Sequence, residues 1–147
     1  MEADILVRNA NGESILVVEA KNRQNLSPSV ATALRRNLAV HNLLPPSTYF
    51  LLASQDVGYL WKAADSSMPD TPPTAQFSMS EVIARYFPGV GPQERLRETQ
   101  LEMLLLQWLQ DLAGPNGNAP AEPEATLART GLLEDLRGTT VDAHAKS

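Results

Sequence analysis

The Asn11-Gly12 dipeptide, set between two runs of β-branched and aliphatic residues, constrains this chain more than any other feature. Asn-Gly favours the positive backbone angles of a tight hairpin, so the runs on either side are expected to pair antiparallel. Those runs are Asp4-Ile5-Leu6-Val7-Arg8 and Ser14-Ile15-Leu16-Val17-Val18-Glu19-Ala20. The second is apolar at successive positions, the mark of a strand covered on both faces rather than one at an edge.

Ser27 and Pro28 then supply an N-cap and a first-turn proline. They predict a helix to about Leu43, with Val30, Ala33, Leu34, Val40, His41 and Leu44 on its apolar arc. On that arc His41 is expected to be a buried, hydrogen-bonded side chain. Pro45-Pro46 stops the helix. Thr48 to Leu52 and Val57 to Trp61 read as two more strands, with Tyr49, Tyr59 and Trp61 as sheet packing. Prolines at 69, 72 and 73 make residues 63–75 an extended surface connection. A short helix is expected from Ser80 to Tyr86 and a long one from Pro92 to Leu112, and another around Ala125 to Arg137 before a polar end. The expected fold is therefore α/β: a small mixed sheet of about four strands flanked by helices. Residues 1–113 form the α/β domain, with a core at 3–62 and a helical extension at 80–113. Residues 114–147 form a linker and a helical tail.

Composition narrows the chemistry. The chain has 147 residues, 43% hydrophobic and 20% charged, which is enough apolar material for a packed core. It has no cysteine, which excludes disulfides, a thiolate nucleophile and cysteine-ligated metals. No apolar run has the length of a membrane span and no signal-peptide pattern opens the chain, so a cytoplasmic protein is expected. The net charge of −5 is unevenly spread. Lys21, Arg23, Arg35, Arg36 and Lys62 face a single acid, Asp56, across residues 21–62, whereas residues 63–147 carry twelve acids and six bases. A basic block between acidic flanks suits a metal site beside a polyanion better than the total charge does.

Glu19 and Lys21 are two residues apart on a strand and so share a face. Asp4 opens the partner strand, at the end of the hairpin far from its turn. Two carboxylates and an ammonium are thus expected together. Paired carboxylates are hard oxygen ligands suited to Mg²⁺, and a neighbouring lysine can orient an attacking water and stabilise charge on a phosphoryl oxygen.

At these residues the chain resembles the PD-(D/E)XK nuclease superfamily, the restriction-endonuclease-like phosphodiesterases. The matching pattern is Ala3-Asp4, fourteen residues, and then Glu19-Ala20-Lys21 after Ile15-Leu16-Val17-Val18. The resemblance extends from about Ala3 to Lys62. Ala3 stands where the family has proline, and the family's preceding helix and strand have no counterpart before Asp4. The core therefore reads as reduced at its amino end, or completed by an upstream segment or second chain. The resemblance implies a restriction-endonuclease-like fold and Mg²⁺- or Mn²⁺-dependent hydrolysis of DNA. Asp4, Glu19 and the Ala20 carbonyl would hold the metal, Lys21 would position the water, and Gln24, Arg35 and Arg36 would meet phosphates. The alternative is an inactive nuclease-fold module serving protein–protein assembly, with the Leu96–Leu112 face as a homodimer or partner contact.

Overall fold

The computed structural model describes residues 4–91, 94–115 and 121–143. Ala3 of the motif, Pro92 and His144 lie outside them. The hairpin forms as expected from β1 (Ile5–Arg8) and β2 (Ser14–Ala20), paired antiparallel with Ile5 opposite Val18. Gly12 takes φ +80°, and the Asn9 side-chain oxygen accepts the amides of Asn11 and Glu13, both at 3.0 Å. The turn is thus closed by Asn9 as well as by the glycine that its backbone requires.

A helix, α1 (Pro28–Val40), crosses from β2 to β3 (Tyr49–Ala53), which lies parallel to β2. The Ser27 hydroxyl caps α1 by accepting the Val30 amide at 3.2 Å. Strands β4 (Val57–Lys62) and β5 (Ala75–Ser78) add antiparallel beyond β3, and β6 (Thr140–Ala143) pairs with the other side of β1. The sheet has six strands, in the order β5-β4-β3-β2-β1-β6, rather than about four. Both additions are edge strands with one buried residue each, Phe77 and Val141.

Helices α2 (Ser80–Tyr86), α3 (Glu98–Ala113), α4 (Glu124–Thr130) and α5 (Leu132–Leu136) follow in the chain. The last two replace the single helix expected over 125–137, because Gly131 turns the chain at φ +95°. Alternate residues of the central strands feed two cores. Ile5, Val7, Leu16, Val18 and Leu51 pack with side chains of α2 to α5, whereas Val17, Phe50, Leu52, Tyr59 and Trp61 pack with Leu26 and Ala31 on the α1 side. Leu127, Leu132, Leu133 and Leu136 join the first of these cores, so the stretch read as linker and tail contributes to the same interior as the rest.

The long helix starts at Glu98, and its apolar face is spent inside the chain. Leu101, Leu104, Leu105, Trp108, Leu109 and Leu112 are all buried there, which leaves that face no area for a dimer contact. The Trp108 indole donates to Glu124 at 3.0 Å, and Arg85 pairs with the same carboxylate at 2.8 Å. Burial alone raises the pKa of Glu124, but these two donors more than offset it and hold it below the usual carboxylate range. Leu105→Ala should cost about 2–5 kcal/mol in urea unfolding. Met103→Ala, on the exposed side of the same helix, should change stability by less than about 0.5 kcal/mol. Equal effects at the two positions would contradict this placement of α3.

Candidate functional site

Interior strands must satisfy backbone groups on both sides. The Lys21 amide donates to the Ala53 carbonyl at 2.8 Å, so extended pairing with β3 continues one residue beyond β2. Residues 19 and 21 therefore turn their backbone groups toward β3, and residues 18 and 20 turn theirs toward β1. On that second side the Asp4 amide donates to the Val18 carbonyl at 3.0 Å, and the Asp4 carboxylate accepts the Ala20 amide through Oδ2 at 2.6 Å. The Asp4 carboxylate lies against the Glu19–Ala20 peptide unit. Both carboxylate residues are buried, Asp4 at 5% and Glu19 at 7% exposure.

Glu19 stands opposite Leu52, which stands opposite Tyr59, and both neighbours belong to the core on the α1 side. Glu19 thus faces α1, and alternation puts Lys21 on the same face, exposed. The Tyr59 hydroxyl donates to the Leu26 carbonyl at 2.6 Å, tying down the loop that follows Lys21, and burial raises its pKa. The structure brings Asp4, Glu19 and Ala20 together, with Lys21 at the rim and Gln24 exposed in the next turn.

The basic residues divide differently from expectation. Arg35 turns inward: it is buried, its guanidinium lies 5.5 Å from the Trp61 ring centroid, and it donates to the carbonyls of Ser66, Met68 and Pro69 at 3.2–3.3 Å. It anchors the 63–75 connection over β4 and is not placed to meet a phosphate. Arg36 is exposed on the outer face of α1, where it lines a groove with Arg23. His41 is exposed at the C-cap of α1, not buried.

A strap that sequence reasoning missed runs over the same end of the sheet. Gln55, buried between β3 and β4, donates to the Glu94 carbonyl and accepts the Leu96 amide, both at 2.7 Å. The Asn22 side-chain amide donates to the Leu96 carbonyl. Arg95 bonds Asn22 at 2.9 Å and both oxygens of Asp56 at 2.9 and 3.1 Å. Asn22 directly follows Lys21, so the strap braces the segment that carries the lysine. Polar loop residues with partners some forty to seventy positions away leave no periodic signal in a sequence.

Among the described residues, no three His, Asp or Glu side chains gather closely enough to hold a metal ion between them. The donor set on offer is two carboxylates and a backbone carbonyl. All are hard oxygen donors, which fits Mg²⁺, an ion that keeps several waters and takes one or two protein carboxylates. The set does not fit a tetrahedral zinc site, which needs nitrogen or sulfur ligands. Among the described residues no helix is long and apolar enough to cross a membrane. Comparison with family models, curated proteins and solved structures finds no match to this chain.

Gln55→Ala removes both bonds that hold residues 94–96. A stability loss of about 1–3 kcal/mol is expected, with faster hydrogen exchange at the Leu96 amide. Unchanged exchange at Leu96 would show that the strap is held by other contacts.

Proposed function

We propose that this protein is a metal-dependent phosphodiesterase acting on DNA, with Asp4, Glu19 and the Ala20 carbonyl as ligands of Mg²⁺ or Mn²⁺. The observation that supports the reading is the buried Asp4 carboxylate seated on the Ala20 amide, next in the chain to the buried Glu19, with Lys21 on the Glu19 face.

A bound divalent ion would lower the pKa of a coordinated water and neutralise charge on a phosphoryl oxygen. The chain's own residues supply the rest. Asp4 and Glu19 would fix the position of the charge, Glu19 because it is held on β2 and Asp4 because its carboxylate is held by the Ala20 amide. The Lys21 ammonium reaches solvent from the end of the extended segment, where it can hold a water for in-line attack and stabilise the developing negative charge. Gln24 and Arg36 are exposed along the path from Lys21 onto α1 and are the proposed phosphate contacts that remain once Arg35 is committed to the core.

Nicking of supercoiled plasmid with Mg²⁺ or Mn²⁺ tests the assignment. Glu19→Gln and Lys21→Ala should each lower the rate at least about a hundredfold while leaving the thermal midpoint near that of the wild type. Cleavage that persists unchanged in both variants would overturn it. Absence of cleavage by the wild type would favour the non-catalytic assembly module instead.

A further inference from the structure

The helix α1 presents more apolar surface to solvent than its position requires. Its buried residues are Ala31 and Arg35, with Val30, Leu34 and Leu38 half-buried against the same core. This side is rotated from the arc that periodicity assigns to the core, and Ala33 and Val40 are left outside. Val40 is 62% exposed, and Leu43 just beyond the helix is 44% exposed. These are two of the four large hydrophobic residues exposed among the described part of the chain, and both lie at one end of α1.

A groove of about 480 Å³ runs along this outer face, with Val30, Ala33, Leu34 and Val40 as apolar lining and Arg23 and Arg36 among its polar members. No acidic residue occurs between Ala20 and Gln55, and α1 itself contains none. Asp56, the next acid, is engaged by Arg95. Among the described residues, the ion pairs use Arg85, Arg95, Arg129 and Arg137, not Arg23 or Arg36. The groove is therefore apolar along its lining and purely cationic in charge.

We infer that this groove is a docking site for an acidic amphipathic helix of a protein partner, apolar side chains on Val30, Leu34 and Val40 and carboxylates on Arg23 and Arg36. Charge complementarity selects the sign of the partner, and the apolar lining selects a peptide over a nucleic-acid backbone. A phosphate track gains nothing from the exposed Val40 or from the half-buried edges of Val30 and Leu34. A helix laid in a groove covers such residues with its own apolar stripe. A partner helix as long as α1, 13 residues, spans roughly 20 Å. The groove lies apart from the carboxylate pair but shares Arg36 with the phosphate contacts proposed above.

The test is a titration of the ¹⁵N-labelled full chain with a synthetic helical peptide of about 14 residues, leucines on one face flanked by glutamates. A twin with lysine for glutamate and a DNA duplex serve as comparisons. The glutamate peptide should shift the amides of residues 29–40 and of Arg23, and bind about tenfold or more tightly than the lysine twin. The double variant Arg23→Glu/Arg36→Glu, on exposed positions where folding is insensitive, should invert that preference. No shift at these amides with the glutamate peptide would overturn the inference. So would a duplex footprint that extends beyond Gln24 and Arg36 over Val30, Ala33 and Val40 with equal or greater affinity, which would assign the whole groove to nucleic acid.

Discussion

The 2.6 Å bond from the Ala20 amide to the Asp4 carboxylate fixes the end of the sheet on which the proposed chemistry depends. Strand β2 is interior, with β1 on one side and β3 on the other. Regular β1 begins at Ile5, opposite Val18, so its backbone does not reach the last amide of β2. A buried amide without an acceptor costs about 1–3 kcal/mol, so the Asp4 side chain stands in for the missing strand. The same substitution brings an acid to the peptide that follows Glu19. One hydrogen bond thereby completes the sheet and seats the acid there.

Around that point the fold works by placing rigid support on every side. The β2–β3 pairing carries Glu19 and Lys21, and the Tyr59 hydroxyl fixes the loop after Lys21 through Leu26. The strap at 94–96 closes the remaining side through Gln55, Asn22 and Arg95. Lys21, Arg23, Gln24, Asn25 and the outer face of α1 stay open to solvent. Rigid acids at the base with mobile cations at the rim suit a substrate that arrives bearing negative charge.

How much of this was legible in the residues depended on the kind of signal. Asn11-Gly12, the apolar run of β2 and the Ser27-Pro28 cap each act through local backbone preference, and the hairpin, the interior strand and the start of α1 all form where they point. β5 and β6 were missed because an edge strand of four residues with one buried side chain has almost no pattern to read. Arg35 was misread because periodicity counts arginine as polar, whereas three backbone carbonyls accept from its two terminal nitrogens and the face of Trp61 covers the buried guanidinium. The apolar arc of α1 was rotated for the same reason, since a buried arginine moves the inward face by part of a turn. For the site, the strand alternation and the far end of the hairpin correctly put Asp4 beside the Glu19 end. The strap could not be foreseen, as its partners meet only through the tertiary fold.

The central claim is that Asp4 and Glu19 together bind a divalent cation, and Mn²⁺ binding measured by electron paramagnetic resonance tests it most directly. Asparagine at position 4 keeps an oxygen to accept the Ala20 amide, so Asp4→Asn removes charge while preserving the hydrogen bond. Binding of one Mn²⁺ per chain by the wild type, lost in both Asp4→Asn and Glu19→Gln, is the predicted result. Binding that is the same in all three proteins, or absent from the wild type, would contradict the account.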